Sequence, residues 1–217
     1  MPPTRSLLIP KTLVHLGALA PLAILLWQMW SVASTGSNAL GADPVAEVEH
    51  RLGLWALRFL MLTLAITPLR QLTGWSVLLR FRRMLGLYAF AYATLHLAAY
   101  LGLDLRGYWM QVFEDIAKRP YLTVGFAAWL LLVPLALTST AGWIRRLGRN
   151  WARLHRLVYV VAVLAVLHFW WLVKSDLREP ALYAAIAAFL LGWRAWKRRR
   201  LRSAPSARAG SRPRSVP

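Results

Sequence analysis

The sequence predicts an all-α membrane protein, a polytopic bundle of six transmembrane helices. Three observations lead to this fold class. Hydrophobic residues make up 58% of the 217 residues and the mean hydropathy is +0.45, values typical of membrane proteins and not of soluble domains. Several apolar runs reach the roughly 18–20 residues that a helix needs to cross the hydrocarbon layer. The charged residues cluster in short patches between these runs.

Prolines mark several ends of the apolar runs. Pro10, Pro120 and Pro180 lie near predicted helix starts, where a missing N–H leaves no hydrogen bond unmade. Pro68 is expected to close the second span, and Pro134 to kink the fourth near its end. The sixth span has the shortest apolar stretch. The six predicted spans are 12–30, 52–69, 84–102, 120–138, 153–173 and 180–196.

The distribution of charge predicts the orientation. With the N-terminus in the cytoplasm, most of the 27 basic residues fall inside and all eight acidic residues fall outside, as the positive-inside rule requires. The chain then divides into a cytoplasmic N-terminus (1–11), a six-span domain (12–197) and a basic cytoplasmic tail (198–217), whose composition predicts disorder. A cleaved signal peptide in the first span is the less favoured alternative, because the run is long for that purpose.

Charge and cysteine content exclude several classes of function. The net charge of +19 does not indicate nucleic-acid binding, because the cations lie between apolar runs and in the tail and do not cover a globular surface. The chain has no cysteine. Disulfides, thiolate zinc sites, iron–sulfur clusters and covalently attached c-type haem are therefore excluded.

Three of the five histidines, His96, His155 and His168, lie in the third and fifth spans, which contain no Asp or Glu. Coordinating groups are costly inside a membrane and suggest function. A proton pathway or a zinc site usually includes carboxylates or cysteines. Neutral imidazoles that face each other between apolar helices suit the iron of a b-type haem. The alternative for each histidine is a simple hydrogen bond to a neighbouring helix, and this alternative is preferred for His15 and His50.

Depth in the membrane predicts which histidines meet. The third and fifth spans run in the same direction, and a rise of about 1.5 Å per residue puts His96 and His168 at matching depth toward the outer leaflet. His155 lies near the cytoplasmic start of the fifth span, roughly 20 Å from His168 along the helix axis. On a straight helix His155 and His168 would point about 140° apart, so either the fifth span is distorted or their sites lie on different sides of it.

Several arginines are candidates for binding the acidic groups of a cofactor or donor. Arg82 precedes His96 by almost four helical turns and shares its face, where a second histidine would complete a site with His155. A guanidinium suits a haem propionate, a flavin phosphate or an acidic donor. Arg83 and the patch 145–149 could bind such groups or could act only as topology determinants. Arg58, inside the second span, is expected to pair with a propionate.

Long motifs in this sequence resemble the MsrQ (formerly YedZ) family of haem-binding membrane subunits. The resemblance covers roughly residues 50–175. It implies a ferric-reductase-like transmembrane domain with one or two b-type haems and with haem ligands at His96, His155 and His168. Arg82 then takes the place of a fourth histidine found in related oxidases. The motifs are LGLWALRFLMLTLAITPLRQLTG (52–74), RRMLGLYAFAYATLHLAAY (82–100), KRPYLTVGFAAWLLLVPLALTST (118–140) and GWIRRLGRNWARLHRLVYVVAVLAVLHFWWLVK (142–174).

The resemblance also implies a function. Such subunits sit in the inner membrane of Gram-negative bacteria and pass electrons outward to MsrP, a periplasmic molybdenum-cofactor reductase that repairs oxidised methionine in proteins. The implied electron source is the quinone pool, with a cytosolic flavin reductase as another donor and FMN as a further cofactor. The chain would then be an electron-transfer subunit that does not act on methionine sulfoxide by itself.

The residues themselves add one constraint on the donor. Only about 20 residues follow the sixth span, and no dinucleotide fingerprint or P-loop occurs. Electrons are therefore expected from a lipid-soluble or separately bound donor. The rival hypotheses are a ferric or other metal reductase on the same scaffold and a non-redox transporter. The loop 103–119, with Tyr108, Phe113 and Glu114, is expected to suit a protein partner.

Overall fold

The computed structural model describes residues 8–105 and 108–203, and these ranges contain helices but no strands. Arg5 and the residues after 203, which include most of the predicted tail, lie outside the described residues. The helices, in chain order, are α1 (Leu8–Thr35), α2 (Pro44–Thr73), α3 (Leu78–Ala99) with a π-helical extension (Tyr100–Asp104), α4 (Trp109–Lys118), α5 (Pro120–Leu137), α6 (Ala141–Leu147), α7 (Arg149–Leu154), α8 (Leu157–Leu172) and α9 (Arg178–Ser203).

The all-helical membrane fold predicted from the sequence is confirmed. Within the described residues, five helical stretches are long and apolar enough to cross a membrane: Pro10–Thr35, Pro44–Thr73, Leu78–Asp104, Pro120–Leu137 and Arg149–Leu172. The sixth predicted span lies in α9, which packs against α8 and α2. Helix α9 continues through Ser203, so the predicted tail begins as helix.

The helices pair around α2. The most extensive contacts join α2 to α3 and α5 to α8, and α3 also packs against α5. Helix α1 contacts mainly α2 and exposes Leu13, Trp27 and Trp30 by more than 60%. Large exposed apolar side chains on a membrane helix face lipid, so α1 lies at the periphery of the bundle.

All eight acidic residues mark one end of the bundle. They lie before and at the start of α2, at the end of the π-helical extension, in α4, and around the start of α9. Side-chain contacts link neighbouring segments of this set. His50 lies 3.7 Å from a carboxylate oxygen of Glu179, and the Tyr100 hydroxyl donates to Asp115 at 2.9 Å. We call this region the acidic end.

The sequence predicted that Pro68 would close the second span, and this prediction is wrong. Helix α2 continues to Thr73 and ends at Gly74, whose φ of 76° forms a left-handed cap. Pro68 has no N–H to donate to the carbonyl of Leu64, four residues earlier. The buried guanidinium of Arg194 donates to that carbonyl instead. A side chain from α9 therefore satisfies the backbone group that the proline frees, and the helix persists.

A side chain from a neighbouring helix also bridges backbone groups of α1, next to Pro21. The hydroxyl of Tyr92, which is only 2% exposed, donates to the carbonyl of Ala18 at 2.7 Å. The same hydroxyl accepts from the N–H of Leu22 at 3.2 Å. It therefore bridges two backbone groups that pair directly in a regular helix. Together with a 2.7 Å hydrogen bond between His15 and the Tyr88 hydroxyl, this bridge attaches α1 to α3.

Replacing Tyr92 by phenylalanine is expected to destabilise the protein by about 1–3 kcal/mol, because the bridge is lost from an apolar interior while the ring keeps its shape. The measurement is the thermal unfolding midpoint in detergent, compared with Tyr108→Phe at a hydroxyl on a side chain that is 72% exposed. Equal midpoints for the two variants would show that the bridge contributes no stability.

Candidate cofactor site

His96 of α3 and His168 of α8 face each other inside the bundle. Their ring centroids are 6.2 Å apart and the ring planes differ by 73°. The two helices reach the acidic end in the same direction, since each begins at the opposite end of the bundle. The structure therefore brings together the two histidines that their depth in the membrane had singled out.

Backbone carbonyls orient both imidazoles. His96 Nδ1 lies 2.9 Å from the carbonyl oxygen of Glu49 in α2, and His168 Nδ1 lies 2.8 Å from that of Tyr121 in α5. Because a carbonyl oxygen only accepts hydrogen bonds, each Nδ1 carries the proton and donates. Each Nε2 then keeps a free lone pair, which is the state in which a histidine binds a metal.

The distance between the rings fits a single metal ion between them. A metal–imidazole bond is about 2 Å long, so two imidazoles that bind one ion from opposite sides have ring centres roughly 6 Å apart. The 6.2 Å between the two ring centroids agrees with this value. Within the described ranges, no group of three or more His, Asp or Glu side chains could hold a bare metal ion. A planar macrocycle that supplies the remaining ligands fits this donor set better.

The surrounding cavity has the shape and chemistry of a slot for an apolar ring system. It has a volume of about 430 Å³ and lies among α2, α3, α5 and α8, with α4 across its acidic end. Most lining side chains are apolar, and several are small, including Ala89, Ala93 and Ala128. Such a volume is within the usual range for cofactor sites. The residues present therefore fit a b-type haem.

Two glycines allow the histidines to lie close to the neighbouring helices. A Cβ atom at Gly125 of α5 would lie 2.6 Å from Nδ1 of His168, and one at Gly53 of α2 would lie 3.2 Å from Nδ1 of His96. The first distance is too short for any side chain. Neither glycine was predicted from the sequence, although a glycine inside an apolar helix at the depth of a histidine is a usable signal.

His155 lies at a second cavity, toward the opposite end of the bundle. This cavity has a volume of about 350 Å³ and shares Leu60 and Leu132 with the first. The His155 imidazole stacks on Trp151 at 4.0 Å, and its Nε2 lies 3.1 Å from the Thr138 hydroxyl. The walls also carry four arginines and no acidic residue among those described: Arg82, Arg83, Arg156 and Arg198. We call it the basic cavity.

The fifth span departs from a regular helix at His155, which is one of the two alternatives predicted from the angle between His155 and His168. Helix α7 ends at Leu154 and α8 begins at Leu157, with His155 in the turn between them. His155 and His168 line two adjoining cavities. Among the described residues, His155 is the only histidine that lines the basic cavity, and Arg82 shares it.

Two side chains differ from their predicted surroundings. Arg58 lines neither cavity. Its Nε donates to the Tyr183 hydroxyl at 2.9 Å and its guanidinium lies over the Trp55 ring, so these partners replace the propionate expected from the sequence. His50 lines the cavity between His96 and His168, which the sequence did not indicate. His15 bonds to a neighbouring helix, as predicted.

Fold and site together define a polytopic helical membrane protein that pairs histidines from two parallel helices across an apolar cavity. Comparison with known sequences identifies the group. The model of the ferric reductase like transmembrane component family matches residues 52–166. Curated proteins named "Protein-methionine-sulfoxide reductase heme-binding subunit MsrQ" are similar along nearly their whole length. The chain therefore belongs to the ferric-reductase-like transmembrane family and, within it, to the MsrQ group.

Three relatives show the extent of the similarity. The protein from Xanthomonas oryzae pv. oryzae (strain MAFF 311018) is 70% identical over 99% of this chain and 98% of its own length. The protein from Xanthomonas axonopodis pv. citri is 73% identical over 90% and 89% of the two chains. The protein from Caulobacter vibrioides is 47% identical over 89% and 90%. No solved structure matches the chain.

Proposed function

We propose that the protein binds a b-type haem between His96 and His168 and carries electrons across the bacterial inner membrane to a periplasmic molybdenum-cofactor methionine sulfoxide reductase. The observation that carries this proposal is the 6.2 Å separation of two imidazoles whose Nδ1 atoms are both held by carbonyls. The relatives' name, which describes a haem-binding subunit of a protein-methionine-sulfoxide reductase, supports the choice of partner.

The bound haem would supply one-electron redox chemistry. The protein's own residues hold and insulate it. His96 and His168 would hold the haem iron, Gly53 and Gly125 leave room for their rings, and the apolar walls would exclude water.

Electrons would leave at the acidic end. Helix α4 covers the cavity there with Val112, Phe113 and Ile116, and the Tyr100–Asp115 hydrogen bond attaches it to α3. Tyr108, Met110 and Phe113 are each at least 70% exposed. Exposed aromatic side chains and methionine are enriched at protein interfaces, so this surface is our candidate for docking the reductase.

Electrons would arrive through the basic cavity or from the lipid. The four arginines that line the basic cavity suit the propionates of a second haem or the phosphate of FMN, with His155 as a ligand or as a border of the site. The quinone pool and a cytosolic flavin reductase are the two candidate donors. The end of the bundle that carries the basic cavity would face the cytoplasm with both termini, as the positive-inside rule favours.

The proposal is tested by reconstituting the protein in vesicles with a quinol donor and adding the purified molybdenum-cofactor reductase with a methionine sulfoxide peptide. We expect sulfoxide reduction to depend on this protein and to fall more than tenfold in His96→Ala. In His155→Ala we expect the haem between His96 and His168 to remain while turnover slows. Unchanged turnover without the protein would contradict the proposal, and reduction of a ferric chelate alone would favour the metal reductase hypothesis.

A further inference from the structure

Met110, in the first turn of α4, is the most exposed methionine in the part of the chain that the structure describes. It is 78% exposed and lies between two membrane-spanning stretches, Leu78–Asp104 and Pro120–Leu137. The other described methionines, Met29, Met61 and Met84, all lie inside spans and are buried or half-buried. Of these four thioethers, Met110 is therefore the one that a water-soluble oxidant reaches without crossing lipid or protein.

The first turn of α4 leaves the Met110 side chain free to extend from the protein. Tyr108, the residue before the helix, makes no side-chain hydrogen bond that caps it, and an uncapped helix end opens most readily. The other half of α4 is attached to the bundle. Asp115 accepts from the Tyr100 hydroxyl, and the carbonyl of Ile116 accepts from the Thr123 hydroxyl at 2.7 Å. Met110 can therefore enter another protein's active site while α4 stays in place.

Met110 also lies beside the proposed exit for electrons. Phe113 lines the cavity between His96 and His168 and is 70% exposed. Met110 precedes Phe113 by three residues, so the two are neighbours on one helix face, about 4.5 Å apart along the axis. Met110 itself does not line that cavity. A protein that visits this surface for electrons is therefore brought within one helical turn of the thioether.

We propose that Met110 is a reversible oxidation site, and that its sulfoxide is a substrate of the same reductase to which this protein supplies electrons. The inference rests on the proposed function, which provides that partner. Because Met110 is exposed whenever the reductase is not docked, oxidant and reductase reach it in turn. The protein is then a substrate of the repair system to which it belongs.

Both steps balance. An oxidant of the oxygen-transfer class, such as hypochlorous acid, gives its oxygen atom to the sulfur, which yields the sulfoxide, chloride and one proton. In the reverse direction the sulfoxide takes up two electrons and two protons, the sulfur–oxygen bond breaks, and the thioether and water are formed. The two electrons reach the reductase through this protein, and the protons come from water at the acidic end.

Oxidation is tested on the full chain in nanodiscs, where both ends of the bundle meet water. A limiting amount of hypochlorous acid is added and then removed by gel filtration, and the peptides are weighed by mass spectrometry. We expect Met110 to gain one oxygen atom about tenfold faster than Met61, because exposure governs this reaction. Oxidation of Met29, Met61 or Met84 at the same rate as Met110 would overturn the inference.

Repair is tested by adding the purified molybdenum-cofactor reductase and reduced benzyl viologen, which passes electrons to the reductase directly. We expect the oxygen at Met110 to be lost and a matching amount of viologen to be oxidised. The control is Met110→Leu, which keeps an apolar side chain of similar volume and removes the sulfur. After the same oxidant treatment it should consume little viologen. A sulfoxide that persists at Met110, while the same reductase reduces a free methionine sulfoxide peptide, would overturn the inference.

Replacing viologen by a quinol separates this inference from the proposed function. If the Met110 sulfoxide is reduced with viologen but neither it nor a free sulfoxide peptide is reduced with quinol, the oxidation site stands and electron transfer from quinol is refuted. If quinol supports reduction of the free peptide while the sulfoxide at Met110 persists, the proposed function stands and the oxidation site is refuted as a substrate.

Discussion

Replacing either His96 or His168 by alanine is expected to remove the haem between α3 and α8. Each imidazole is oriented by one carbonyl, and loss of one axial ligand leaves an apolar slot with a single coordinate bond to the iron. Because even loss of a partner that only orients a ligand typically weakens metal binding 10–100-fold, we expect the haem content of this site to fall by more than tenfold. The measurement is the absorption spectrum of purified, dithionite-reduced protein.

His15→Ala is the control, because His15 contacts Tyr88 on a neighbouring helix and lines neither the cavity between His96 and His168 nor the basic cavity. If a second haem occupies the basic cavity, the reduced bands in His96→Ala should fall to about half and should disappear when His155 is replaced as well. Full haem content in both His96→Ala and His168→Ala would refute the assignment of the ligands.

Replacing Gly125 by alanine is expected to have nearly the same effect, although it adds a single methyl group. The new Cβ would lie 2.6 Å from Nδ1 of His168, so the ring would have to leave its position and its hydrogen bond to the Tyr121 carbonyl. A glycine-to-alanine change in a helix otherwise favours the helix by about 1 kcal/mol. We therefore expect a protein that folds as well as the wild type and binds haem at least tenfold more weakly.

Gly192→Ala is the matched control, since a Cβ there meets no atom within 4 Å. Haem titration of the apo-protein and thermal unfolding separate affinity from stability. Wild-type haem affinity in Gly125→Ala would mean that the His168 ring can move without loss of ligation, which would contradict the close packing described above.

Much of the fold follows from the sequence because the membrane leaves few choices. Apolar runs longer than the hydrocarbon thickness must be helices, and the constant rise per residue places His96 and His168 at one level. A distortion of the fifth span was one of the two alternatives predicted from the angle between His155 and His168, but its position at His155 was not, because no proline or glycine marks it. The continuation of α2 past Pro68 was also missed, since it depends on Arg194, more than a hundred residues away.

The predicted site was also incomplete, because it depends on contacts between helices that are distant in sequence. Spacing within one helix shows which face a histidine occupies, and it does not show which residues of other helices approach it. Gly125 and His50 line the cavity between His96 and His168 from α5 and α2, and the depth of Gly125 in its span was a usable signal only in combination with the position of His168 on another helix. For Arg58 the residue was singled out but its partner was not, because Tyr183 is distant in sequence.

The most direct test is low-temperature magnetic circular dichroism, together with electron paramagnetic resonance, of the oxidised protein. Two neutral imidazoles whose ring planes differ by 73° should give a low-spin ferric haem with the near-infrared band of bis-histidine ligation. That signal should be absent in His96→Ala and in His168→Ala and unchanged in His15→Ala. A high-spin ferric signal in the wild type, or a low-spin bis-histidine signal that survives in both single variants, would contradict haem ligation by this pair.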